Sequence, residues 1–244
     1  MILTKDWIYL DLQKTGSTFL RGKLLKIFPQ IPDSPEFSGK HRVCGEFHNG
    51  LRLMTIRDPF DYYYSLWSYG IDGRGGFYKS MRREFSQNEI VEMYGERSSS
   101  CFQKFLTRAM PEGKLDLYTM RVLRMLLPKT KAKLFKRILS KEIILSPEFC
   151  QDKLSKYYPS VLLPTDTLSE CFHLMADSGR LRQMNLPNGW KNIFPLLSSK
   201  VNTSVYGSDL EMKRFIRKQC TGSVDLIYSN CFLPDSLYRL SKVA

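Results

Sequence analysis

Apolar and polar positions change period several times along the chain, and each change marks an element. Trp7 to Leu12 is a short apolar run with aromatic and β-branched members, the pattern of a buried strand. Gln13 to Ser17 interrupts it with turn chemistry. From Thr18 to Phe28, residues Leu20, Leu24, Ile27 and Phe28 then recur on one helical face until Pro29 stops the helix. Pro29 to Gly39 reads as a loop. Leu51 to Ile56 is a second strand, closed by the turn pair Asp58-Pro59, and Phe60 to Tyr69 is an aromatic-rich helix with Gly70 at its C-terminus. Lys14 and Arg57 therefore each stand at a strand-to-helix junction.

The middle of the chain, from Glu84 to Leu139, is mostly helical by pattern, with Leu115 to Leu127 and the basic stretch Lys129 to Leu139 as its clearest members. Tyr157 to Leu163 reads as another strand before Pro164. Thr167 to Ala176 follows as a helix with Leu168, Cys171, Phe172 and Met175 inward. A last helix covers Asp209 to Cys220, ahead of a polar-aromatic tail. Strands alternating with helices predict an α/β fold with a largely parallel sheet.

A length of 244 residues suits a single domain spanning 1–244, with a core large enough to need neither metal nor disulfide. The 43% apolar and 25% charged content is that of a globular chain rather than a disordered one. A net charge of +13 points to an anionic partner. No stretch approaches the roughly 20 uninterrupted apolar residues of a membrane span. The opening MILTKDWIYLDL carries an acidic residue where a signal peptide needs an apolar core. The expectation is a soluble, cytoplasmic protein without a transmembrane segment. Six cysteines (Cys44, Cys101, Cys150, Cys171, Cys220 and Cys231) form no C-x-x-C pair and have no histidine at ligand spacing. They read as reduced structural thiols, with no metal site expected.

Chemistry concentrates at the two junctions. In WIYLDLQKTGSTFL, a strand, a one-glycine loop and a helix aim free backbone N–H groups and the positive end of a helix dipole at one point. Gly16 allows close approach of an anion, Ser17 and Thr18 offer hydroxyls, and Lys14 adds a mobile cation. The order is not that of a nucleotide-triphosphate loop, G-x-x-x-x-G-K-[ST], because here the lysine precedes a single glycine. In LRLMTIRDPFDYYYSLWSY, a strand leads into Arg-Asp-Pro, and Ser65 lies eight positions after Arg57. Arg57 suits a phosphate because a guanidinium grips it bidentately and keeps its charge.

The order of these two segments resembles the sulfotransferases that use 3′-phosphoadenosine 5′-phosphosulfate, most of all the bacterial and Golgi-type carbohydrate branch. The resemblance is strongest from Ile8 to Tyr78, and Gly70 to Tyr78 (GIDGRGGFY), Leu162 to Asp177 and Lys200 to Ser204 fit it more loosely. It implies a P-loop-like three-layer fold with a central, mostly parallel sheet flanked by helices. It also implies a donor site in which Lys14, Thr15, Gly16, Ser17, Thr18 and Phe19 hold the 5′-phosphosulfate and Arg57 and Ser65 hold the 3′-phosphate. Asn202 and Ser204 would close over the donor. Many members carry a second arginine or another polar residue where this chain has Tyr62.

The resemblance further implies sulfuryl transfer to a hydroxyl or amine, a carbohydrate being the favoured acceptor. Lys14 would stabilise the leaving oxygen. A base with a pKa near neutrality must take the acceptor's proton. His41, in Ser-Gly-Lys-His between the two segments, is the first choice, because relatives often place His or Glu there and its ordinary pKa suits the role. Glu46 and His48, in CGEFH, are its rivals. His173 sits mid-helix and reads as structural. The aromatic group Tyr62, Tyr63, Tyr64, Trp67 and Tyr69 reads first as core and second as a stacking surface for adenine or sugar. Lys129 to Arg137 reads as a solvated face that could steer an acidic polymer. Two other readings remain open, a P-loop kinase or nucleoside triphosphatase that needs magnesium, and a basic polyanion-binding module. No nucleic-acid motif is present, and no nucleic-acid partner is expected.

Overall fold

A computed structural model describes residues 1–32, 35–112, 114–140, 145–196, 207–219, 221–233 and 237. The chain folds as an α/β structure on a four-stranded sheet in the order β1 (Ile2–Leu3), β2 (Trp7–Leu10), β3 (Leu51–Ile56), β4 (Val161–Pro164). β1 pairs antiparallel to β2, whereas β2, β3 and β4 are parallel, with Leu10 opposite Met54 and Ile56 opposite Pro164. The register aligns the three C-terminal strand ends along one edge.

Side chains alternate across the sheet, and each parity feeds a separate apolar cluster. Trp7, Tyr9, Leu51, Leu53, Val161 and Leu163 point to one face, where α1 (Ser17–Ile27) packs through Leu20, Leu24 and Ile27. Ile8, Leu10, Met54 and Ile56 point to the other. Past a short α2 (Pro35–Ser38), that second face is covered by α3 (Pro59–Ile71), α4 (Gly76–Glu84), α5 (Gln87–Tyr94), α6 (Ser99–Ala109) and α7 (Leu117–Leu126). α8 (Ala132–Ser140) adds Ile138 to the same layer, and α9 (Pro147–Phe149) opens the short turns that lead to β4. α10 (Leu168–Asp177) and α11 (Trp190–Ile193) return to the α1 face with Leu168, Phe172 and the neighbouring Phe194. Finally α12 (Gly207–Gln219) and α13 (Thr221–Asn230) bring Ile216 and Ile227 back to the α3 face. The sheet thus lies between two helical layers. Among the described residues, no helix is long and apolar enough to cross a membrane.

Several elements differ from the sequence reading for identifiable reasons. The loop from Pro29 to Gly39 contains the α2 turn. Tyr157 belongs to a 3-10 turn, and β4 starts only at Val161. The polar-aromatic tail after Cys220, to which the sequence pattern assigns no element, is helical over Thr221–Asn230. Gly70 lies in the last turn of α3, which runs one residue further to Ile71, and the Tyr94 ring occupies the space where its Cβ would stand. Asn202, Ser204 and Cys220 lie outside the described residues.

Candidate functional site

The neighbours β2 and β3 send their following helices to opposite faces of the sheet. A crevice opens between the two loops where connections diverge in this way, at the carboxyl ends of the strands, and such crevices are where open α/β sheets hold ligands. The Lys14 loop forms one wall and Arg57 the other. They touch directly: an Arg57 Nη1 donates to the Lys14 carbonyl oxygen at 3.1 Å.

The first wall is built from strained backbone. Lys14 has φ 64° and Gly16 has φ 70°, and Lys14 is one of three non-glycine residues with positive φ among the described residues. At Lys14 such a conformation costs about 1–3 kcal/mol and persists where the surroundings over-determine it, whereas Gly16 adopts it without steric cost. Thr15 is a pin for this loop: fully buried, it donates to the Leu12 carbonyl at 2.7 Å and meets the Thr55 hydroxyl at 2.7 Å. Its hydroxyl is therefore turned away from the crevice. Ser17 is also buried and bonds the Asp11 carboxylate. What the loop offers is backbone. Gly16 caps α1 with no side-chain hydrogen bond to the first turn, so the N–H groups of Ser17, Thr18 and Phe19 keep their outward donor capacity. Thr18 and Phe19 are exposed. A Cβ at Gly16 would press on Leu168 and Thr165 at 3.3 and 3.4 Å, so the turn is closely backed by β4 and α10.

The second wall is held by aromatic packing. Tyr118 on α7 accepts from the Arg57 N–H at 2.9 Å and donates to the Arg57 carbonyl at 2.8 Å. Tyr62 stacks on Tyr118 with ring centroids 4.0 Å apart. Asp58 caps α3 by accepting from the Asp61 N–H. Ser65 is half-buried one turn before Tyr69, on the α3 face that meets Lys14. Of the aromatic group read from the sequence, Tyr62, Tyr63, Tyr64 and Trp67 are core. Tyr69 alone is half-buried, and its ring carries Lys14 Nζ 3.2 Å from its centroid and the Arg74 guanidinium at 4.6 Å.

Two further cations join the pair found by motif. Arg121 donates from α7 to the Tyr62 hydroxyl at 2.7 Å, and Arg74 reaches Tyr69 from the turn between α3 and α4. Burial lowers the Lys14 pKa to about 8, and the charges of Arg57, Arg74 and Arg121 push the same way against a weaker opposing pull from Asp72. Four cations close enough to feel one another lie beside first-turn N–H groups with no side-chain cap, an arrangement whose field attracts anions. Arg121 supplies a cation beside Tyr62, the position where the sequence departs from the resembled pattern.

The three proposed bases separate by location. His41 stands at the strand-end edge: its Nδ1 lies 2.9 Å from the Asp11 carbonyl oxygen and 3.1 Å from Asp11 Oδ1. Asp11 closes β2 and is buried. Burial favours its protonation, but the hydrogen bond from His41, the charge of the Met1 amino group and the Ser17 hydroxyl outweigh it and lower its pKa to about 2. His48 sits at the opposite end of the sheet, where Nε2 meets the Thr4 carbonyl at 3.0 Å and Nδ1 accepts from the Gly50 N–H at 3.1 Å. Both its ring nitrogens are engaged by backbone. Glu46 is exposed at that same end, beside Phe47, which packs on Tyr157. The two ends are separated by the length of a strand, on the order of 15 Å at about 3.3 Å per residue. His173 anchors α10 by meeting the Phe194 carbonyl at 2.7 Å.

Next to the crevice, a cavity of about 350 Å³ is lined by Asp58, Asp61, Asp166, Lys213, Arg214 and Arg217, and the pairing of Lys213 and Arg217 with Asp61 and Asp58 lays α12 over the start of α3. The basic stretch at 129–137 starts from a different place, where the Lys129 N–H bonds the Cys44 carbonyl. Its Lys129, Lys131, Lys133, Lys136 and Arg137 are exposed. Compared with protein-family models, with curated proteins and with solved structures, the chain matches none.

Proposed function

We propose that this chain is a sulfotransferase that moves a sulfuryl group from 3′-phosphoadenosine 5′-phosphosulfate to a hydroxyl or amine, with a carbohydrate as the favoured acceptor. The observation that carries this reading is the Arg57–Lys14 contact at 3.1 Å. It joins the two loops of the motif in one crevice between β2 and β3, as a P-loop-like donor site requires. The residues fit such a donor. α1 starts without a side-chain cap, which leaves its first-turn N–H groups to an anion, and Lys14, Arg57, Arg74 and Arg121 answer the charge of two phosphates.

Sulfuryl transfer, like phosphoryl transfer, rests on positioning and charge stabilisation. In this reading the first-turn N–H groups of α1 and Lys14 hold the 5′-phosphosulfate, and Arg57, with Ser65 and Arg121 beside it, holds the 3′-phosphate. His41 takes the acceptor's proton at Nε2. The acceptor oxygen bonds to sulfur, the bond from sulfur to the bridging oxygen breaks, and its electron pair stays on the 5′-phosphate beside the Lys14 ammonium. The products are the sulfated acceptor and adenosine 3′,5′-bisphosphate.

Titration calorimetry with adenosine 3′,5′-bisphosphate in EDTA tests the reading. Saturable binding without magnesium, lost in Lys14→Ala and Arg57→Ala while the circular dichroism spectrum is kept, is the expected result. Preference for magnesium ATP, or no binding of the bisphosphate, overturns it.

A further inference from the structure

Asp11 was not singled out by any motif, yet it is the only carboxylate that meets a histidine among the ion pairs of the described residues. It is 1% exposed and follows directly on β2, so its backbone is fixed by the parallel pairing of Leu10 with Met54. His41 Nδ1 bonds the Asp11 backbone carbonyl at 2.9 Å and lies 3.1 Å from the carboxylate Oδ1 as an ion-pair contact, Oδ1 being buried and otherwise unpartnered, and the His41 backbone N–H points to Oδ2 at 3.4 Å. His41 itself has φ 50°, the same strained region as Lys14. Both groups facing Nδ1 are acceptors, a carbonyl and a carboxylate, so Nδ1 carries the proton and Nε2 the lone pair. The imidazole is 29% exposed, which leaves its outer edge reachable.

We propose that Asp11 is a positioning residue that locks His41 as the Nδ1–H tautomer and turns Nε2 outward as the proton acceptor at the strand-end crevice. A carboxylate behind an imidazole fixes its tautomer and stabilises the imidazolium that forms when it accepts a proton. The link from Asp11 to Ser17, the first residue of α1, ties this base to the helix terminus that cradles the donor. The inference rests on the sulfuryl-transfer reading for its role, but the pairing itself can be tested without it.

The charged and titratable groups around the pair come from each neighbouring element. The Met1 amino group of the β1 edge lies 3.5 Å from Asp11 Oδ2, and burial lowers its pKa to about 6. The charges of Arg21 on α1 and Arg42 beside His41 act on that same amino group.

Nitrogen-15 NMR of the full chain decides the question, with the His41 resonances assigned by His41→Asn. In the wild type the expected pattern is Nδ1–H with an unprotonated Nε2 above the titration midpoint. In Asp11→Asn the midpoint falls by a unit or more. Under saturating donor, the acid limb of kcat moves to lower pH with it, and kcat drops by about 10²-fold with the donor KM unchanged. An Nε2–H tautomer in the wild type, or an unshifted midpoint in a folded Asp11→Asn, overturns the pairing. A shifted midpoint with an unshifted kcat limb overturns His41 as the acceptor. If the paired tautomer is present in a protein that does not bind adenosine 3′,5′-bisphosphate, the sulfotransferase reading fails and Asp11 keeps only the tautomer lock. Should Asp11→Asn unfold, Asp11→Glu replaces it and the expected shift is smaller.

Discussion

Lys14 Nζ stands 3.2 Å from the centroid of the Tyr69 ring, and the ring belongs to the helix that follows the other strand of the crevice. The ring face steers a cation that burial and three arginines would otherwise push away. Tyr69→Phe keeps the face and should bind adenosine 3′,5′-bisphosphate as the wild type does. Tyr69→Ala removes it, and the expected loss is about 2- to 30-fold in affinity, the range that roughly 0.5–2 kcal/mol of cation–π attraction implies. Calorimetry on the two variants separates the ring from its hydroxyl.

The lowered pKa of Lys14 makes anion binding a proton-linked event. Free Lys14 titrates near pH 8, whereas a bound anion favours its charged form and raises that value. At pH 8 the complex therefore takes up a fraction of a proton, and affinity declines as pH rises above 8. Calorimetry in two buffers of different ionisation enthalpy should give proton uptake at pH 8, where the nucleotide phosphates are fully ionised. In Lys14→Arg the uptake vanishes, because a guanidinium stays charged throughout.

Arg121 is the cation that no local pattern announced. If it serves the 3′-phosphate beside Arg57, Arg121→Ala weakens the bisphosphate by about tenfold or more, roughly 1.4 kcal/mol. It should weaken adenosine 5′-phosphate, which lacks the 3′ group, much less. An equal loss for both nucleotides would assign Arg121 to holding Tyr62 and α7 in place. Lys191→Ala, which removes an exposed cation paired with Asp177, is the control and should leave both affinities unchanged.

The frame of the crevice was legible because it is local. β3 is matched residue for residue and α1 within one position, since an apolar run followed by turn residues and an i, i+4 face has few other solutions. β1 has two residues and no pattern to detect. The tail helix α13 buries too little apolar surface to print a helical period, with Ile227 its one fully buried side chain among those described. The site divides in the same way. Lys14, Gly16 and Arg57 follow from strand-to-helix junctions, whereas Arg121 meets its partner 59 positions away along the chain and Asp11 meets His41 at a separation of 30. A carboxylate closing an otherwise apolar strand, WIYLDL, was the signal for Asp11. Arg74 lay inside GIDGRGGFY, but only the fold turns it towards Tyr69.

Gly70 gives a test of packing that leaves the chemistry alone. It lies on α3 with the Tyr94 ring directly over its Cα, and Tyr94 in turn packs on Tyr78 and Phe105. Alanine suits a helix better than glycine by about 1 kcal/mol, so an open position would be stabilised. Here the methyl group meets a ring that its neighbours hold, and overpacking of this kind costs about 1–3 kcal/mol. Gly70→Ala should lower Tm, by roughly 2–4 °C per kcal/mol for a chain of this size. Tyr94→Leu should restore part of the loss in the double variant.

Acid stability reads the Asp11 environment through folding. Its pKa falls from an ordinary value near 3.8 to about 2 in the folded state, so the unfolded chain binds the proton more tightly. The stabilisation is therefore complete above about pH 4 and is lost as the pH falls through 2, with a size of about 2 kcal/mol for a shift of nearly two units. Asp11→Asn cannot gain or lose that proton. Urea unfolding of both proteins at pH 5, 4, 3 and 2 should show the wild type losing its advantage over the variant by about that amount, most of it below pH 4. A difference that stays constant with pH would mean that the carboxylate is not held in its charged form by His41 and Ser17.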